Sequence, residues 1–284
     1  MCTILVALAV WPSAALVIAA NRDEMLARAS EGVRLRAPGE LATRALLAPR
    51  DLVAGGTWLG LGDRGLVVGI TNRRSGAANP ALRSRGELVA GALGAGERAS
   101  ARAWVEGLDP RDYNPFHLLL AEASGAELLW SDGQTLTRVE LEPGIHWVTE
   151  RSFGAGPSQR HVFLEELSES TRPGREFDRA LVDAPEPSLA GWQAILADHR
   201  PHAPAGQRPP DDQVGFDSMC VHALPVGYGT RSSTVIRLGR GPGEVEFHHA
   251  LGRPCETNFD DHSAEARWLL ASREGTSHAG AEPE

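Results

Sequence analysis

MCTILVALAVWPSAALVIAANRDE, residues Met1 to Glu24, decides how the rest of the chain is read. It has three parts: Cys2 directly after the initiator, two apolar runs, and the polar cluster Asn21-Arg22-Asp23-Glu24. Thr3 to Val10 and Ala15 to Ala20 are rich in β-forming residues. Trp11-Pro12-Ser13-Ala14 separates them, which reads as a hairpin with a short loop. Both runs are apolar at nearly every position, so both faces of the hairpin are expected to be covered. A hairpin that turns this early brings residue 2 beside residues 20 to 23.

Cys2 is a candidate nucleophile that carries its own base. Removal of Met1 leaves it with a thiol and a free α-amine. The ordinary pKa values are roughly 8.5 for the thiol and 7.7–8.0 for the amine, so near neutrality the amine can take the thiol proton. The thiolate is the reactive form. Asp23 could accept from the amine or orient it, and Arg22 would add positive potential that favours thiolate. Alone, a cysteine at position 2 also suits a plain strand start, and the four polar residues suit a solvated hairpin exit.

The same stretch could pass for a secretory signal, because Val6 to Ala20 is apolar and Ala19-Ala20 are small. It has no basic start, Trp11-Pro12-Ser13 interrupts it, and it is too short for a membrane helix. Cleavage after Ala20 would discard Cys2, so the export and nucleophile readings exclude each other, and the nucleophile reading is preferred. Composition fits an ordinary folded protein: 284 residues, 42% hydrophobic, 23% charged. Net charge is 28 − 37 = −9, and the basic residues, all arginine, are scattered, which disfavours a nucleic-acid partner. Three cysteines, Cys2, Cys220 and Cys255, make no disulfide framework and suit a reducing cytoplasm. No zinc spacing is present; Cys220/His222 is a weak pair, and His248-His249 and His262 read as a strand end and a polar loop. No metal and no cofactor are expected.

Further along, residues 25 to 50 lack periodicity and read as a surface connection. Gly55 to Leu61 enters a strand, Gly62 to Gly65 turns, and Leu66 to Thr71 returns to deliver Asn72, placed where a side-chain amide could donate to an oxyanion. Ser84-Arg85-Gly86-Glu87 has the capping-box pattern for a helix to about Leu93, and a second helix is expected over Glu97 to Leu108. Strands follow at His117–Ala121, Glu127–Trp130, Leu136–Leu141 and His146–Thr149. Helices are expected at Ser158–Leu167, Glu176–Val182 and Ser188–Asp198, then a proline-rich loop over 200–215. Strands at Met219–Leu224, Ser233–Leu238 and Glu244–His248 precede a closing helix at Asp261–Ser272. Gly227-Tyr228-Gly229-Thr230-Arg231 could present Arg231 bidentately to a carbonyl or carboxylate. Hairpins with helices in blocks argue for an α+β layered fold of antiparallel sheets. One domain over 1–272 and a disordered tail over 273–284 are expected.

Met1-Cys2-Thr3-Ile4 and Ala19 to Glu24 resemble the signature of the NRDE family, also called the TANGO2 (transport and Golgi organisation protein 2) family. Gly55 to Gly60, Thr71-Asn72, Arg85 to Val89, Tyr113 to Phe116 and Gly227 to Arg231 match further blocks in order. The resemblance implies a four-layer αββα sandwich of the N-terminal-nucleophile (Ntn) hydrolase type, similar to choloylglycine hydrolases and penicillin V acylases. It implies Cys2 as nucleophile, with Asp23, Asn72 and Arg231 as catalytic partners. Asn21, Arg22, Glu150 and Tyr228 are the candidate substrate-binding positions. The relatives carry Arg where this chain has Ala20, and a second active-site Asn where Glu150 stands. The reading is a hydrolase or acyltransferase for an amide or thioester of a small molecule. The rival is a non-catalytic carrier of haem or acyl-CoA, because members of the family are linked to haem trafficking and lipid metabolism.

Overall fold

The opening hairpin forms, and it is longer than expected. Strands β1 (Cys2–Leu8) and β2 (Leu16–Met25) pair antiparallel, with Cys2 opposite Arg22 and Leu8 opposite Leu16. Asn21-Arg22-Asp23-Glu24 therefore lies inside a strand, where alternation sends neighbouring side chains to opposite faces. The computed structural model describes residues 2–74, 76–153, 181–199, 218–241 and 243–272. The helix expected at 158–167, nearly all of that at 176–182, the proline-rich loop and the 273–284 tail lie outside these residues.

After the hairpin come β3 (Ser30–Arg36), β4 (Leu46–Asp51), β5 (Leu59–Gly62) and β6 (Val67–Asn72). Helices α1 (Gly86–Ala95) and α2 (Arg98–Glu106) follow. Then come β7 (Phe116–Glu122), β8 (Gly125–Ser131), β9 (Leu136–Leu141) and β10 (Gly144–Val148). The last part holds α3 (Leu189–Leu196), β11 (His222–Ala223), β12 (Tyr228–Leu238), β13 (Val245–Ala250), β14 (Asp260–Asp261) and α4 (Ser263–Ala271). Two seven-stranded antiparallel sheets result. One runs β10-β1-β2-β12-β13-β14, with β11 also on β12; the other is the meander β3 to β9.

The apolar pattern explains the layers. Ile4, Val6, Leu8, Leu16, Ile18 and Ile236 meet Leu47, Leu61, Val67, Leu119 and Leu128 of the meander in one core between the sheets. Leu5, Ala7, Val17, Ala19 and Val235, on the other face, pack on Trp192 and Leu196 of α3. The outer face of the meander, including Val68, Leu118 and Leu120, packs on Leu88, Val89 and Leu93 of α1 and on Ala101 and Val105 of α2. The order is helices, sheet, sheet, helix, the αββα arrangement expected. Each fully buried aliphatic side chain contributes about 1.5–3 kcal/mol by leaving water. Gly56 and Gly86 allow one close approach: a Cβ built on Gly56 would lie 2.6 Å from the Gly86 carbonyl carbon.

Three local expectations are corrected. Residues 25 to 50 are not a surface connection but carry β3 and β4. A register shift between Glu31 and Arg34 breaks the alternation that would have marked β3, and Arg36 is buried, its Nε donating to Ala48 O at 3.0 Å. The capping box does not close: Ser84 Oγ accepts from Gly86 N, but Glu87 is taken by Arg83 at 2.9 Å. The strand expected at Met219–Leu224 shrinks to His222–Ala223, because Pro225 sits in a 3-10 turn over Leu224–Val226.

Candidate active site

Cys2 is half-buried at the start of β1. It shares the inter-sheet face with Ile4 and with its cross-strand partner Arg22. These residues line a crevice of about 10 Å³, room for roughly one water, with Trp58, Ser232 and Thr234. Burial pushes the Cys2 thiol up. The positive charge at the chain start opposes this and the Asp23 carboxylate adds to it. Arg22, and the Asp23 amide N–H donating to the sulfur, pull the thiol back down.

Arg22 is almost wholly buried and its guanidinium lies over the Trp58 ring, 4.2 Å from the centroid. Its Nη2 stands 3.5 Å from Asp51 and 3.9 Å from Glu24, while Nη1 is buried without a hydrogen-bond partner among the described residues. Arg28 holds Asp51 at 2.7 Å. Burial works against the Asp51 charge. The Arg28 hydrogen bond and the Ala54 and Val53 amides outweigh it and hold the carboxyl below its ordinary value. A second guanidinium, Arg85 at the start of α1, is lowered by burial and raised by the charges of Cys2 and Glu24, so it belongs to the same electrostatic group.

The neighbours of Arg22 in β2 face the other way. Asn21 Nδ2 donates to Leu196 O at 2.9 Å and Met219 O at 2.8 Å, and its Oδ1 accepts from Ser233 Oγ at 2.6 Å. Asp23 Oδ1 accepts from Thr230 Oγ1 at 2.7 Å, and that hydroxyl accepts from Val221 N. A bulge between Thr230 and Ser232 allows this, since Thr230 faces Asp23 while Ser232 reaches the crevice. Tyr228 donates its hydroxyl to the Asp23 carbonyl at 2.9 Å.

Cys2 and Arg22 thus meet directly, while Asp23 reaches Cys2 through its amide and Tyr228 reaches Asp23. Asn72, Arg231 and Glu150 do not line the crevice. Asn72 is exposed at the end of β6, two residues past Ile70, which does. Arg231 donates from Nη2 to Arg28 O at 3.4 Å. Glu150 lies two residues beyond the Ile4–Val148 pair, at the register level of Cys2, with Oε1 3.7 Å from Arg151. Its Oε2 is buried without a hydrogen-bond partner among the described residues. Reasoning from sequence missed Trp58, Arg85, Ser232 and Thr234. Trp58 and Arg85 stand inside the recognised blocks, but only the fold puts Trp58 in the crevice with Cys2 and Arg85 within reach of its charge.

A separate group, His199, Cys220, His222 and Cys255, gathers beyond the carbonyls that Asn21 holds. Among the described residues, no helix is long and apolar enough to cross a membrane.

Comparison with known proteins agrees with this architecture. The family model described as Transport and Golgi organisation 2 matches residues 1–250. The Transport and Golgi organization protein 2 homolog of Bos taurus is 30% identical over 241 residues, covering 82% of this chain and 84% of that protein. The Homo sapiens homolog is 26% identical over 249 residues, with the same coverage of 82% and 84%. A variant of conjugated bile acid hydrolase from Clostridium perfringens aligns with a TM-score of 0.50 at 8% identity, over 92% of this chain and 93% of its own. That likeness is one of fold. With the four layers, it gives the chain the Ntn-hydrolase fold.

Proposed function

Because the chain belongs to the Transport and Golgi organisation 2 family and carries an Ntn-hydrolase fold, we propose that it is a cysteine hydrolase or acyltransferase. It acts on an amide or thioester bond of a small acyl compound, with Cys2 as nucleophile. One observation carries this reading. Cys2 sits half-buried at the free end of β1, opposite Arg22, with its sulfur accepting from the Asp23 amide.

With Met1 removed, the α-amine on Cys2 takes the thiol proton and the thiolate attacks the carbonyl carbon. The carbonyl π electrons move to oxygen, where Asn72 and a backbone N–H donate to the oxyanion. Collapse expels an amine or thiol, which leaves with the proton held by the Cys2 ammonium, and a thioester to Cys2 remains. Water or an acceptor amine then attacks that thioester, and the α-amine again receives and returns a proton. Asp23 positions the end of β1 through its amide. Arg22 and Arg85 give the site positive potential, which suits a substrate with an anionic group beside its acyl carbon. Tyr228 supports Asp23, Asn21 tethers β2 to the outer layer, Glu150 stands on the substrate side, and Arg231 would meet a substrate carbonyl or carboxylate.

The test is incubation with an acyl-electrophile probe followed by intact mass and peptide mapping. One acyl adduct on Cys2, in a chain lacking Met1, is expected. Retention of Met1, or an adduct absent from Cys2, refutes the reading. The carrier alternative is tested beside it by haem titration followed at the Soret band. Tight binding that survives Cys2→Ala, with no turnover of amides or thioesters, replaces the enzyme by a carrier.

A further inference from the structure

We propose that His199, Cys220, His222 and Cys255 form a closed zinc site that fastens the outer layer of the β1-containing sheet. The four residues come from three separate segments. His199 follows α3, Cys220 and His222 flank the start of β11, and Cys255 lies in the loop after β13. No ligand spacing in the sequence announces them, but the fold brings one donor atom of each within 4.8 Å of all the others.

The distances argue for a metal at their centre. His199 Nε2 and His222 Nε2 are 3.1 Å apart, and His222 Nε2 is 3.5 Å from Cys220 Sγ and 3.2 Å from Cys255 Sγ. The two sulfurs are 3.6 Å apart. A tetrahedral Zn²⁺ with Zn–N of about 2.0–2.1 Å and Zn–S of about 2.3 Å requires ligand-to-ligand distances of roughly 3.3–3.8 Å. These four spacings lie within a few tenths of an ångström of those values, and the two pairs of His199 with the sulfurs lie within 4.8 Å, so His199 closes the tetrahedron by a small shift. A disulfide would explain the two sulfurs but not His222 Nε2 set against both of them with His199 Nε2 beside it, and 3.6 Å is far from a bonded pair, about 2.05 Å.

The chemistry of the donor set selects the ion. Two thiolates and two neutral imidazoles balance the charge of a divalent cation, and the mixed sulfur and nitrogen set suits zinc. Binding releases the two thiol protons. With all four positions taken by protein there is no open site for substrate or water, so the role is structural. Hydrogen bonds already hold the segments in place: Cys220 N donates to Asp198 O at 3.0 Å, and Gln193 Nε2 to Pro254 O at 2.9 Å. Asn21 grips Leu196 O and Met219 O, within three residues of three of the ligands. The metal would therefore stiffen the segments that β2 holds on the face opposite the Cys2 thiol. The inference stands apart from any catalytic role of Cys2.

The full-length protein, purified with reductant and stripped with a chelator, is titrated with Zn²⁺ against a chromophoric chelator, and separately with Co²⁺. One zinc per chain is expected, together with an intense tetrahedral cobalt spectrum that includes thiolate-to-cobalt charge transfer. Cys2→Ala keeps both. Cys255→Ser weakens the charge-transfer band, and His199→Ala weakens zinc binding beyond the roughly 10–100-fold typical of outer-shell changes. Circular dichroism of the stripped variants shows whether they remain folded; where one does not, Cys255→His, which keeps a ligand, is expected to retain zinc and lose charge-transfer intensity. Absence of stoichiometric zinc, a pale octahedral cobalt spectrum, or binding unchanged in Cys255→Ser overturns the proposal. So does a Cys220–Cys255 disulfide in the purified protein whose reduction yields no zinc binding.

Discussion

Replacing Asn21 tests whether the first polar residue after the hairpin's apolar run is a tether rather than a substrate contact. Its amide makes three buried hydrogen bonds, to Leu196 O, Met219 O and Ser233 Oγ. At about 1 kcal/mol each, with part of the cost of leaving buried carbonyls unpaired, Asn21→Ala should lose about 3–5 kcal/mol. That is a large share of a typical stability of about 5–15 kcal/mol. Asn21→Asp keeps the shape but points a carboxylate at two carbonyl oxygens. The new carboxyl can donate only when protonated, so its folded pKa rises above an unfolded value of about 3.9. A raised folded pKa means the folded state binds the proton more tightly. The penalty relative to wild type is therefore smallest below about pH 4 and grows as pH rises through the folded pKa. Urea unfolding followed by tryptophan fluorescence, at several pH values beside wild type, measures both effects, because Trp192 is buried in the same layer. A loss under about 1 kcal/mol for Asn21→Ala, or a penalty for Asn21→Asp that does not vary with pH, refutes the tether.

Arg22→Met keeps bulk beside Trp58 but removes a charge that lowers the Cys2 thiol pKa, so alkylation of Cys2 at fixed pH should slow several-fold; an unchanged or faster rate counts against the electrostatic coupling. His117 is held neutral by burial, with its pKa pushed down to about 4 from 6.5 although the Ser152 carbonyl favours its charged form. A lowered folded pKa means stability is full above pH 6.5 and falls as pH drops toward 4, by about 3 kcal/mol for this group. Burial likewise pushes His249 down to about 3, which adds to the same slope. Urea midpoints should fall across that window, less steeply in His117→Gln, and an equal slope in that variant removes His117 from the account. Gly56→Ala drives a methyl into the Gly86 backbone and should cost about 1–3 kcal/mol, read as a lower thermal midpoint; an unchanged midpoint means the two segments can move apart.

How much of this was legible beforehand depended on whether partners were near in sequence. The hairpin was legible because its apolar runs and turn lie within twenty residues, and the expected nearness of Cys2 to residues 20 to 23 is met by the Cys2–Arg22 pair. The meander strands after Asn72 were legible as short apolar or β-rich runs between turn residues, β7 being buried on both faces. Strand β3 was hidden because its register shift and the buried Arg36 break the pattern that identifies a strand. The direction of the polar cluster was hidden for another reason. The expected strand ended at Ala20, so the cluster had no alternation to use, whereas within β2 Arg22 must turn toward Trp58 and Asn21 away from it. Arg85 and the Cys220–His222 surroundings depend on contacts between distant segments, for which one sequence offers no spacing to read.

The tethers on β2 also bear on when the surroundings of Cys2 take their final form. Asp23 waits for Thr230 and Asn21 for Ser233, partners 207 and 212 residues further along the chain. Pairing over such separations is slow, because loop closure must be completed before the contacts repay it. During synthesis the β1–β2 hairpin emerges early, apolar on both faces, and cannot gain its β12 neighbour until nearly the whole described chain has followed. Its β1 edge stays open until β10 follows and its β2 edge until β12 does, a state prone to aggregation. The architecture thus ties the final setting of β2 beside Cys2 to the arrival of β12, and makes the early hairpin the segment that most needs protection in a nascent chain.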